Sequence, residues 1–185
     1  LSFIGRHEEG LAIKRRTVEQ NPMFSTAWDY LALGMMGVKD FTGARRAFDR
    51  AQELSPYNDF RLFMRAVLEF KDGKYAEAVR LARENPDPDQ RDYGLALAEF
   101  SLGRTAEAHA ALKRLIAHAP DKYAVQIAEA YAWQGDKEQA FKWLDRAIEV
   151  HDMGLKSLSR NSKSFASLHD DPRFDRVLEK MHLSQ

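Results

Sequence analysis

The chain has 185 residues, with 28 Lys+Arg matched by 28 Asp+Glu, a hydrophobic fraction of 44% and no cysteine. The charge balance gives no overall field to draw in nucleic acid or an anionic membrane surface, and the missing thiols exclude disulfides, thiolate catalysis and cysteine-ligated zinc. The hydrophobic fraction suffices for the core of a single domain, no apolar run approaches the roughly 18 residues of a membrane span, and the first residues lack the charged-then-apolar design of a signal peptide.

In chain order, residues Leu1 to Pro22 read as the second helix of a helix pair whose first helix is absent, with Gly5 at the turn and Pro22 closing the unit. With Leu1 and no initiator Met, this reads as a segment of a longer protein; the alternative is an isolated capping helix. An edge left without its preceding helix is expected to expose Phe3, Ile4, Leu11 and Val18 and to self-associate. Ser25 to Pro56 carries the clearest pattern. Trp28, Leu31, Ala32 and Met35 follow an i, i+3, i+4, i+7 stripe, and Phe41, Ala44, Ala47, Phe48, Ala51 and Leu54 form a second one, so two amphipathic helices are predicted. Gly37 and Asp40 supply the break and a capping carboxylate, while Ala32 and Ala44 are small enough for the two axes to approach closely.

A third unit begins at Asp59 after the turn Tyr57-Asn58, turns again at Asp72-Gly73-Lys74, and ends early at Asn85-Pro86-Asp87-Pro88, where proline removes an N–H and restricts its predecessor. A fourth carries Leu95, Ala96, Gly103, Ala108, Leu112 and Pro120; a fifth carries Ile127, Ala128, Tyr131, Gly135, Ala140, Leu144 and Ala147. The turn markers at 5, 39, 73, 103 and 135 are 34, 34, 30 and 32 residues apart. In the third and fourth units Glu69 and Glu99 take the place held by Met35 and Tyr131, with Phe70 and Phe100 one residue later. Either those helices are rotated by one position or the aromatics have moved to the groove. Arg65 and Glu69, four apart, are expected to pair on one helix face. From Met153 the period fails, and Leu155, Leu158, Phe165 and Leu168 precede a final short helix capped by Asp171, with Pro172 at its first position.

Trp28, Leu31, Ala32, Ala44, Phe48, Ala51 and Pro56 match, nearly complete, the pattern of the tetratricopeptide repeat, a helix pair of about 34 residues, and the chain resembles that family. The resemblance implies an all-α fold, a right-handed α-α superhelix (TPR solenoid) with a C-terminal helical cap. The organisation is a repeat array over 1–152 (half repeat 1–22, repeats 23–58, 59–88, 89–120 and 121–152) followed by capping helices over 153–185. The order Leu155, Leu158, Phe165, Leu168, Asp171-Pro172-Arg173-Phe174 and Met181 is similar to the closing segment of bacterial tetratricopeptide regions that follow cyclase, kinase or winged-helix signalling domains. Physically it is a lid, since the last repeat has no neighbour to cover its apolar face.

The resemblance also implies where a partner binds. With each turn marker counted as place fifteen, the core stripe is 4, 7, 8 and 11. Places 2, 5, 9 and 12 then share a second face, which lines the concave channel in that family. Here it holds Leu33, Met36, Phe60, Phe63, Val67, Phe70, Tyr93, Leu97, Phe100, Val125 and Glu129. This apolar and aromatic set is the expected groove for a protein or peptide segment. The alternative is that these aromatics widen the core because the third unit's second helix is short. The family's chaperone-tail binders need Lys at place 5 and Asn at place 9; Asp29, Phe63, Tyr93 and Val125 at the one, and Leu33, Val67, Leu97 and Glu129 at the other, do not supply them.

No catalytic, cofactor or metal residues are expected. The six histidines lack metal-ligand spacing, the serines at 157, 159, 162, 164 and 167 lack a nucleophile turn, and Lys14-Arg15-Arg16 and Arg45-Arg46 read as solvated faces. The glycines at 5, 73, 103 and 135 are turn residues and not a phosphate cradle. The leading expectation is a non-catalytic interaction scaffold, in the cytoplasm, with no nucleic-acid or membrane partner. The alternatives are an intramolecular regulatory or oligomerisation segment of a larger bacterial signalling protein and, more remotely, a helical-repeat enzyme.

Overall fold

The computed structural model describes residues 7–158 and 162–181. The expected turn at Gly5, the N-terminal Phe3 and Ile4, and Ser159, Asn161 and His182 lie outside the described residues. These fold into ten α-helices and two short 3-10 segments, with no strand among them. The fold class is therefore all-α, and the chain divides into two compact units, Leu1–Asp87 and Pro88–Gln185.

The first unit contains α1 (His7–Gln20), α2 (Ser25–Gly37), α3 (Phe41–Leu54), α4 (Asp59–Lys71) and α5 (Tyr75–Glu84). Helices α2 and α3 fold back on each other, as do α4 and α5, while α1 lies on α2 and α4 touches both α2 and α3; Leu11 and Val18 are therefore buried, at 1% and 6% exposure, and not exposed as expected, because α1 turns them onto α2. Ala32 and Ala44 are fully buried, beside Leu31, Ala47, Phe48 and Ala51, as the two apolar stripes require. Asp40 caps α3, accepting from the Gly43 N–H at 2.8 Å, and Asn58 caps α4 through the Arg61 N–H. Helix α5 is only 10 residues long, because Pro86 and Pro88 forbid its continuation.

The second unit contains α6 (Pro88–Ser101), α7 (Thr105–His118), α8 (Ala124–Gln134), α9 (Lys137–Glu149) and α10 (Pro172–Lys180), with 3-10 segments at Met153–Ser157 and Lys163–Leu168. Helices α6 and α7 pair, α8 and α9 pair, and α6 also packs on α8. Both 3-10 segments lie on α8 and α10 lies on α9. Leu158, Phe165, Leu168, Phe174, Val177 and Leu178 are thereby buried in one core with Ala128, Leu144 and Ala147, which is the covering of the last pair's apolar face. Asp171 caps α10, with Pro172 in its first turn.

The four turns inside the hairpins share one geometry, with a left-handed residue at Lys39 (φ 62°), Gly73 (78°), Gly103 (76°) and Gly135 (85°). The N–H after each reaches back to the carbonyl of Met35, Glu69, Glu99 or Tyr131, at 2.8–2.9 Å. This double closure satisfies carbonyls that the helix end would otherwise leave bare. Because the same place accepts the bond in all four turns, the helices carrying Glu69 and Glu99 are not rotated. The glutamates occupy the inner place and are buried, at 7% and 1% exposure, while Phe70 and Phe100 remain partly exposed.

Buried glutamates need cations. Glu69 receives Arg45 of α3 through two bonds, at 2.8 and 2.6 Å, and Arg45 also bonds Asp72. Glu99 receives Arg104 at 3.0 Å. The expected Arg65–Glu69 pair does not form: Arg65 instead reaches Asp49 of α3 at 2.7 Å, since helix packing places α3 nearer to both side chains than they are to each other.

Candidate functional site

In the first unit the groove places fall on α2 and α4, which touch each other. Phe60 is 48% exposed. Phe63, Val67, Phe70 and Leu33 are partly exposed, Leu33 and Val67 packing against the edge of the unit's core. Met36 belongs to that core, at 8% exposure. The Phe70 ring lies 5.6 Å from that of Tyr75. At the α2 side the stem of Lys14 crosses Gly34 so closely that a Cβ there would stand 2.9 Å from its Cδ, and burial lowers the ammonium's pKa.

Asp29, at the place where a chaperone-tail binder would carry Lys, faces inward and is locked. Arg61, fully buried, donates from Nε and Nη2 to its two carboxylate oxygens at 2.7 and 2.9 Å. The third guanidinium nitrogen donates to the Ser55 carbonyl and to Gln52. One buried arginine thus ties α2 to α4 and holds the connection between α3 and α4.

In the second unit the same places behave differently. Tyr93, Leu97 and Val125 are buried, at 7%, 4% and 3% exposure. The Tyr93 hydroxyl donates to Glu129 at 2.7 Å, and burial, followed by the carboxylate's charge, pushes it well above the ordinary phenol range. Val125 sits under the closing segment, its N–H bonded to Asp152 at 2.9 Å. Only Phe100 and Glu129 of this set keep partial exposure. Phe100 opens into a cleft of about 540 Å³ with Leu112, Ile116 and Tyr131.

A larger cleft, of about 830 Å³, lies where sequence reasoning named no site, across α9 between the loop after α7 and α10. Trp143 and Phe141 form its apolar part, and Asp121, Glu138 and Glu149 ring it. Its two arginines are already engaged. Arg173 stacks on Phe141 at 4.2 Å and binds Glu138 and Asp171, while Arg146 binds Asp121 and Glu149. The Arg146–Asp121 and Arg173–Glu138 pairings span 25 and 35 residues and leave no local signal in the sequence. Among the described residues no group of His, Asp and Glu is arranged to hold a metal ion, and no helix is long and apolar enough to cross a membrane.

Comparison with known proteins agrees with this architecture. The family model for the tetratricopeptide repeat matches residues 99–153. Among solved structures, MamA superimposes with a TM-score of 0.55 at 16% identity, covering 80% of this chain and 90% of that one. YrrB, described as a TPR protein with an unusual peptide-binding site, gives 0.51 at 17% identity, covering 85% and 84%. PilF of Pseudomonas aeruginosa gives 0.59 at 16% identity, covering 97% and 80%. No curated protein sequence matches the chain. At these identities the likeness is one of fold, and it supports the tetratricopeptide resemblance of an all-α repeat protein.

Proposed function

We propose that the chain is a non-catalytic protein–protein interaction scaffold, and that a peptide or protein segment docks on the first unit at Leu33, Phe60, Phe63, Val67 and Phe70. The observation that carries this reading is the half-exposed Phe60 ring at the head of a wholly apolar stripe on α4. Large apolar side chains held open to water on a rigid helix are the kind of anchor that dominates interface energy. The description of YrrB as carrying a peptide-binding site supports the same use of the fold. The intramolecular alternative, in which the docked segment belongs to a signalling domain of the same polypeptide, uses the same face and differs only in the origin of the segment.

The test is to select binders from a random peptide display library on the whole chain and to titrate them against Phe60→Ala and Phe63→Ala. Loss of about 2 kcal/mol of binding or more with unchanged melting is expected for an anchor. A fall in folding stability of about 3 kcal/mol or more on Phe63→Ala, the range for emptying a buried aromatic site, would return Phe63 to the core and leave the scaffold without this face.

A further inference from the structure

One carboxylate of the second unit is provided for differently from the others. Asp29, Glu69, Asp92 and Glu99 lie buried, and each meets an arginine. Asp40, Asp152 and Asp171 accept backbone N–H groups at helix starts. Glu129 of α8 is partly buried and has neither kind of partner among the described residues. Its hydrogen bond is from the Tyr93 hydroxyl of α6, at 2.7 Å to Oε2, while Oε1 has no donor and keeps contact with solvent. Lys122, two turns earlier on the same face of α8, is drawn elsewhere, to Asp89 at 3.5 Å, with its ammonium 5.0 Å from the Tyr123 ring. A carboxylate held partly out of water is costly unless a cation or several donors meet it, and a single phenol hydroxyl meets only one of its oxygens.

The surroundings of that oxygen suit a cation. Helices α6 and α8 pack side by side, and each contributes an aromatic ring whose polar atom is already pinned. Tyr93, 7% exposed, is held through its hydroxyl. Trp133, one turn beyond Glu129 and partly exposed, donates from Nε1 to Ser101 of α6 at 2.9 Å. Residues four apart on a helix are neighbours, and aromatic rings attract ammonium and guanidinium groups through their faces. The single open oxygen then selects between the two. The chain's own guanidinium groups grip both oxygens of Asp29, Glu69 and Glu138. With Tyr93 on Oε2, Glu129 offers one oxygen, which matches the compact ammonium of lysine better than a planar fork.

We infer that Glu129 is the acceptor for a lysine side chain of a partner protein segment laid between α6 and α8, beside the Tyr93 and Trp133 rings. This site lies wholly within the second unit and stands independently of the α4 face proposed above.

Random peptides of about 12 residues, roughly 40 Å when extended, are selected on the whole chain. Lysine-containing binders are resynthesised with norleucine, which keeps the stem and removes the charge, or with Arg. Fluorescence anisotropy then compares the parent, Phe60→Ala and Glu129→Gln, the last removing the charge while leaving Tyr93 an acceptor. At least one binder should lose about tenfold or more on changing its lysine to norleucine and as much on Glu129→Gln, with little further loss when the two are combined. It should weaken about threefold or more with Arg and be unaffected by Phe60→Ala. Glu129→Gln should melt at the parent's temperature or above. Binders that ignore Glu129→Gln, or a lysine effect that persists undiminished in that variant, overturn the inference, as does binding of none. Equal or tighter binding with Arg overturns the choice of lysine. Binders that respond to Phe60→Ala alone belong to the α4 face, so they overturn this site and leave that reading standing. A fall of more than about 4 °C in the melting of Glu129→Gln would assign the carboxylate to the fold and overturn the inference as well.

Discussion

Replacing Asp29 by Ala should be among the most damaging changes to the first unit, although it removes only three heavy atoms. Arg61 has no accessible surface and Asp29 is 5% exposed, so the substitution leaves a guanidinium inside the unit with two donors unanswered. The Ser55 carbonyl and Gln52 still hold the third nitrogen, but neither carries charge. Breaking one side of a buried ion pair costs about 3–5 kcal/mol, and the same cost is expected for Arg61→Ala, which strands the carboxylate. Changing both at once, Asp29→Ala with Arg61→Ala, removes the two desolvated charges together and should cost less than the sum. Urea denaturation of the four proteins, followed by circular dichroism, gives the coupling as a double-mutant cycle. We expect about 2 kcal/mol, in the upper part of the roughly 0.5–3 kcal/mol range for residues in direct contact. A cycle that closes additively, or an Asp29→Ala that costs under about 1 kcal/mol, would mean that the pair is solvated and does not join α2 to α4.

Two further outcomes follow from the turns and the closing segment. Lys39 is a non-glycine residue in the left-handed region, at φ 62°, where the three equivalent turns carry glycine. Lys39→Gly should therefore raise stability by about 0.5–1 kcal/mol, the relief of left-handed strain less the added freedom of the unfolded chain. Asp171 is held at a pKa of about 2, below its ordinary 3.8, chiefly by the side-chain hydrogen bond from Arg173. A depressed carboxylate contributes stability that is present above the ordinary value and is lost as pH falls through the folded value, so the α10 contact should loosen between about pH 4 and pH 2. A carboxyl-carbon NMR titration should find the low midpoint in the parent and a return toward 3.8 in Arg173→Ala.

The repeat was legible because its signals are local. A glycine or lysine at a fixed offset, a capping Asp40 or Asp171, and a stripe such as Phe41, Ala44, Phe48 and Ala51 each act within one or two turns of helix. The depth of the candidate face was not legible, since helical period tells which residues share an arc and not what covers that arc. Phe60 and Val125 hold comparable faces of their helices, yet one is half exposed and the other lies beneath the Met153–Ser157 segment, tied to Asp152. Tyr93 is closed by its bond to Glu129, 36 residues away. The misplaced Arg65–Glu69 pair has the same origin: a four-residue spacing is visible in the sequence, and the nearer charges on α3 are not.

The ion pairs around α4 bear on how freely such hairpins can be exchanged. Asp29 with Arg61, Arg45 with Glu69 and Asp72, and Asp49 with Arg65 all run from the α2–α3 hairpin to α4. In an array held by interchangeable apolar contacts, stability is a sum over similar neighbours, and a hairpin can be duplicated or deleted with modest effect. Here the seam between the two hairpins works as a lock with a single key. A second α4 without its own α2–α3 would bring the fully buried Arg61 without its Asp29. That copy would bury a charge with no counterpart, so the seam itself penalises repetition of α4 alone.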